Sequence, residues 1–82
     1  MRGQIALALD NLEAVLKAAG MSLANVTRLN IATTDVDEAI KNFDLMGARF
    51  GPVGVAQPQT LFGVTGLALP ELMFEIEATA AD

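Results

Sequence analysis

Apolar residues near the start of the chain recur at three- and four-residue steps: Ile5, Ala8, Leu9, Leu12, Val15, Leu16 and Ala19. That spacing lines one face of an α-helix and predicts a helix over residues 2–19. Gly20 is its expected stop, because helices commonly end on a positive-φ residue, which glycine adopts at least cost. Over residues 26–34 the pattern turns to alternation. Leu29, Ile31 and Thr33 fall on one side and Arg28, Asn30 and Ala32 on the other, in a β-branched stretch that predicts a strand. Asp35 stands three residues before Glu38, the spacing of a capping box. Ala39, Ile40, Phe43, Met46 and Phe50 then return to helical steps, so a second helix is expected over 36–49, ended by Gly51 and Pro52.

Residues 53–58 read as a loop. A strand is expected over 59–67, interrupted by Gly63 and Gly66, since glycines inside a strand often mark a bulge or a close backbone approach. Beyond Pro70, Leu72, Phe74, Ile76 and Ala78 alternate with Met73, Glu75, Glu77 and Thr79, which gives a last strand. The order is α-β-α-β-β in a single domain, residues 1–82. The fold class is α+β, with two helices packed on one face of a β-sheet. The opposite face mixes small and polar residues with Met73, Glu75 and Glu77, and suits a partly wet interface between copies.

Composition narrows the chemistry. The chain has no Cys, His, Trp or Tyr. That removes the usual general base near neutral pH, most zinc sites and the His-activated nucleophiles. The net charge of −5 offers no basic patch for a phosphate backbone, so nucleic acid is not an expected partner. No apolar run approaches the ~20 residues of a membrane span. The N-terminus enters a helical pattern directly, with no sign of a signal peptide, and the absence of Cys fits the cytoplasm. An apolar share of 52% in so short a chain reads either as a tight Ala/Leu/Val core or, the favoured reading, as burial of part of that surface between copies.

Few residues carry candidate chemistry. Glu75 and Glu77 share one face of the last strand, either as a carboxylate that orients water or as solvated charges that keep an edge strand from aggregating. Gln59 and Thr60 can hydrogen-bond a ligand, or merely supply polarity where a strand starts. From Phe50 to Asp82 there is no Lys or Arg, so an anion site there must borrow its cation. Arg28, beside Asn30, is one source, although such an arginine is more often solvated or salt-bridged. Gly63 and Gly66 lack the Lys-Ser/Thr and following helix of a phosphate loop. Met21, Met46 and Met73 read as packing.

Several of these segments together resemble one family. They are Gln4, the run Asp10-Asn11-Leu12-Glu13-Ala14-Val15-Leu16, Ala18-Ala19-Gly20, Ser22-Leu23, Thr33-Thr34-Asp35, Gly63-Val64 and Glu75-Ile76-Glu77-Ala78. In this order they are similar to the Rid family of reactive intermediate deaminases, also called YjgF or endoribonuclease L-PSP proteins. The resemblance implies a chorismate-mutase-like fold, a homotrimer with ligand clefts between subunits, and hydrolysis of 2-imino acids to keto acids and ammonia without metal or cofactor. It gives Glu75 the role of orienting the hydrolytic water. It also implies an N-terminal β-hairpin, where this sequence opens at the first helix.

The chain departs from the family pattern in its binding residues. Active members carry an arginine at the start of the penultimate strand, which holds the substrate carboxylate. Alignment on Gly63-Val64 puts Gln59 there, and alignment on Pro58 puts Thr60 there. Neither replaces the charge of a bidentate arginine. Counting from Asp35 puts Phe43 at the family's helix-two asparagine, with Asn42 one place off. The sequence therefore leads to a Rid-type protein with weak or no activity on anionic imino acids. The alternative is a non-catalytic oligomeric module binding a neutral small ligand or a protein.

Overall fold

In the computed structural model, which describes residues 1–53 and 58–82, three helices cover one face of a three-stranded mixed sheet. The loop expected over 53–58 falls largely outside those residues. Helix α1 is Arg2–Ala18. Gly20 follows at φ 74°, as its place after the helix predicted. The Gly20 and Met21 N–H groups donate back to the Lys17 and Leu16 carbonyls at 3.0 and 2.8 Å, closing the helix end. A short 3₁₀ turn, Leu23–Asn25, is capped by Ser22 and leads into strand β1, Val26–Thr33.

The second expected helix is two. Helix α2, Val36–Lys41, starts on Asp35, whose carboxylate accepts the Glu38 N–H at 3.1 Å. Helix α3 is Asp44–Phe50. Asn42 makes the break. Its side-chain amide donates to the Glu38 carbonyl at 2.8 Å, taking the acceptor that its own N–H would use in a continuous helix. That N–H bonds Ala39 instead, one residue nearer. Periodicity registers the buried face but not such a local competition.

Strand β2 is Gln59–Gly63 and strand β3 is Phe74–Ala80. Both are shorter than the alternation suggested. The sheet order is β2-β1-β3, with β1 parallel to β2 and antiparallel to β3. The pair β1 and β2 needs a crossover, and α2 and α3 supply it. β2 ends where Gly63 meets α2: a Cβ there would lie 3.0 Å from Val36 Cγ2.

The core lies between sheet and helices. Ile5, Leu9 and Leu16 from α1 meet Leu29 and Ile31 of β1, Met46 and Phe50 of α3, and Phe74 of β3, all buried. Two polar clasps tie α1 to α3. Arg2 grips Asp44 through two bonds of 2.8 and 2.6 Å, and Arg49 reaches Asp10 at 2.7 Å and Glu13 at 2.5 Å. No helix of the described residues is long and apolar enough to cross a membrane.

Candidate functional site

Cross-strand register sorts the candidate residues by face. Residues directly opposite one another share a side of the sheet. On the open side, Thr60, Asn30 and Glu77 form one rung, Phe62, Ala32 and Glu75 the next, and Arg28 stands beside Thr79. On the helix side, Gln59, Leu29 and Ala78 form a rung, followed by Leu61, Ile31 and Ile76, then Gly63, Thr33 and Phe74. Thr60 and Glu75 thus share the open face, one rung and two strands apart. Gln59 belongs to the other face, where it lines a cavity of about 250 Å³ with Leu29, Phe43, Met46 and Phe50.

Strand geometry gives the spacings. Glu75 and Glu77 lie about 7 Å apart along β3, and Thr60 and Glu77 about 10 Å apart across β1. Glu75 and Glu77 are exposed, as is Phe62 at 45%. Small Ala32 stands between Phe62 and Glu75 in this rung.

The cations stand elsewhere. Arg2 and Arg49 are committed to the α1–α3 clasps, and Lys41 pairs with Glu38 at 3.8 Å. Lys17 lies in the last turn of α1. Arg28 alone among the described residues brings a positive charge to the open face. It is level with Thr79, about 13 Å along the strand from Glu75. The guanidinium of Arg2 holds the Asp44 carboxyl below its usual range through their hydrogen bonds.

Pattern reasoning missed how β3 is anchored two residues before Glu75. The Gln4 side chain accepts the Met73 N–H at 2.7 Å and donates to the Glu71 carbonyl at 3.0 Å. From the other side, the fully buried Thr33 hydroxyl donates to the Met73 carbonyl at 2.7 Å and accepts the Asp35 N–H at 3.2 Å. The Thr34 N–H also reaches that carbonyl, at 3.1 Å. The two peptide groups flanking the Met73 Cα are held, one by Gln4 and the other by Thr33 and Thr34, which fixes where Glu75 leaves the loop. The signal available in the sequence was Thr33 itself, a polar residue on the apolar face of β1.

A cavity of about 470 Å³ is an open groove between α1 and β3, lined by Leu7, Leu12, Val15, Phe74, Glu75 and Ile76.

Known proteins share this architecture. A member of the YjgF/YER057c/UK114 family from Mycobacterium tuberculosis is 34% identical, over 89% of this chain and 60% of its own, with a TM-score of 0.80. A Pseudomonas aeruginosa protein of unknown function is 33% identical, over 88% of this chain and 51% of its own, with a TM-score of 0.81. Escherichia coli TdcF, solved with bound serine, is 23% identical over 93% and 60% of the two chains, with a TM-score of 0.83; at that identity the likeness is one of fold. The chain thus spans roughly half to two thirds of the length of these structures. No curated protein matches it. The family model for endoribonuclease L-PSP matches residues 1–82, and the chain belongs to that family, the YjgF family.

Proposed function

We propose that this chain is a divergent Rid-type protein that holds a small polar ligand against the open sheet face beside Glu75, and that it hydrolyses anionic 2-imino acids weakly or not at all. The observation that carries this reading is the separation of charges: Glu75 stands on the open face while the nearest cation there, Arg28, is about 13 Å along the sheet. The bound serine of TdcF supports a small amino-acid-like ligand. Further copies of the chain, three in all, pack through this face and make the cleft that excludes water.

The chemistry requires little of the protein. Glu75 accepts a proton from water as the oxygen adds to the imine carbon and returns it to the nitrogen; the new hydroxyl then gives up its proton to the nitrogen as the carbon–nitrogen bond breaks, releasing ammonia and the keto acid. A charge-assisted hydrogen bond contributes about 1.5–3 kcal/mol. Lack of the carboxylate-binding arginine therefore lowers turnover by roughly ten- to a hundredfold. Thr60, on the same face as Glu75, is the position from which a ligand's polar end is met. Gln59 faces the helix side and contributes at the start of β2.

The test is hydrolysis of freshly generated 2-iminopropionate by the purified chain and by Glu75→Ala and Thr60→Arg. The expected result is little acceleration in the parent, none in Glu75→Ala, and a gain in Thr60→Arg that disappears when Glu75→Ala is added. Fast Glu75-dependent turnover in the parent would sink the weak-activity reading and make Arg28 the substitute cation. Unchanged rates in all variants of folded protein favour the second reading, a binding module without catalysis, for which the lack of a cation beside Glu75 is the supporting observation.

A further inference from the structure

Glu75 stands close to an end of the sheet. β1 stops at Thr33, which pairs with Phe74, and Glu75 follows one rung in, opposite Ala32. The end rungs of a sheet have few neighbours and open most easily. Register matters there as well. A slip of one residue would turn Glu75 from the open side to the helix side. Three consecutive peptide groups just before β3 are nevertheless held. The Leu72 N–H donates to the Leu69 carbonyl at 3.1 Å, closing a turn, and the Glu71 carbonyl accepts from Gln4 Nε2 at 3.0 Å. The Met73 N–H donates to Gln4 Oε1 at 2.7 Å, and the Met73 carbonyl accepts from Thr33 and Thr34.

We propose that Gln4 is a positioning residue for Glu75: its carboxamide, bonded to the main chain on both sides of Leu72, sets the stretch of backbone from which Glu75 projects. The carbonyl of residue 71 and the N–H of residue 73 are the pair that a neighbouring strand would engage. Gln4 supplies both partners from one side chain and so takes the place of one residue of such a strand. The task needs a donor and an acceptor at fixed separation, which a primary amide has and a hydroxyl, a carboxylate or an ammonium group does not.

The platform under Gln4 is rigid. Its neighbour Ile5 is fully buried in the core, and Arg2 ties the same helical turn to Asp44 of α3. α1 itself packs on β3. A displacement of α1 is thereby passed to the start of β3, and through it to Glu75. Groups that act on a ligand work within a narrow tolerance, and the residues that hold them share in the effect. What Gln4 serves rests on the reading of Glu75 as the group beside the ligand, whereas the placement of Glu75 by Gln4 does not.

The experiment compares the parent with Gln4→Met and Gln4→Glu, and with Arg49→Gln as a control that breaks a clasp of α1 elsewhere. Backbone amide NMR reads the placement. Gln4→Met keeps the length of the side chain without its donor and acceptor. It should displace the Met73, Phe74 and Glu75 amide signals more than those of Leu29 or Ile31, and speed exchange at Met73 by about tenfold relative to Ile31. Gln4→Glu keeps an acceptor for the Met73 N–H, so Met73 should stay slow to exchange and Glu75 in place. Arg49→Gln should move neither. Hydrolysis of 2-iminopropionate is followed in the Thr60→Arg chain, with and without Glu75→Ala. Adding Gln4→Met there should lower kcat of the Glu75-dependent part by about tenfold or more and leave KM nearly unchanged. Displacement no larger at Glu75 than at Ile31, Gln4→Glu behaving as Gln4→Met does, or a Glu75-dependent rate that Gln4→Met leaves intact would overturn the proposal. Displacement at Glu75 with a rate that never depends on Glu75 would support the placement and sink instead the reading of Glu75 as the reacting group.

Discussion

Single side chains decide more here than their number suggests, and Thr33 is the clearest case. It occupies a position in β1 where an apolar residue would pack equally well, yet its buried hydroxyl serves the Met73 carbonyl and the Asp35 N–H at once. Thr33→Val keeps the shape and takes the hydroxyl from the Asp35 N–H, while the Met73 carbonyl keeps the Thr34 N–H. A buried group left unsatisfied costs about 1–3 kcal/mol, and urea denaturation should show a loss of that size with an unchanged slope. Gln4 acts on the preceding peptide, through the Met73 N–H. Gln4→Ala should speed hydrogen exchange at the Met73 amide by more than at Ile31, which a uniform loss of stability cannot do. Glu75 was legible as a candidate because alternation put it on a face with Glu77. The face occupied by Gln59 was not legible, because it depends on which residue of β2 pairs with Leu29, and pairing is fixed by the crossover rather than by β2 itself.

Helices and strands were readable wherever one face is apolar along its length. The first helix, the alternation of β1 and the cap at Asp35 all stand where the pattern puts them. Boundaries fail where a neighbour intervenes. Asn42 splits one periodic stretch into α2 and α3, Val36 closes β2 against Gly63, and Gln4 delays β3 until Phe74. Each cause is a contact from elsewhere in the fold or a side chain bonding its own backbone, and hydrophobic period reports neither. The cap can be tested by itself. Asp35→Ala removes the acceptor of the Glu38 N–H and should cost about 0.5–2 kcal/mol, with the loss of helical circular dichroism confined to the α2 share of the signal.

For the whole molecule, the Arg2–Asp44 pair between α1 and α3 contributes to the behaviour in acid. Asp44 titrates below its usual 3.8 in the folded chain, first because of the hydrogen bond from Arg2. A depressed carboxyl adds stability that is fully present above that ordinary value and is lost as pH falls through the folded one. Thermal midpoints measured from pH 6 downward should therefore drop below about pH 4, and Asp44→Asn should flatten part of that drop. The pair is exposed, so added salt should lessen the difference between parent and variant. α1 and β3, far apart in sequence, also rest on each other. Neither can fray from the fold without uncovering the other. Loosening at β3 would be felt at α1, and amides at residues as distant in sequence as Leu9 and Ile76 should open in one concerted event rather than in two independent ones.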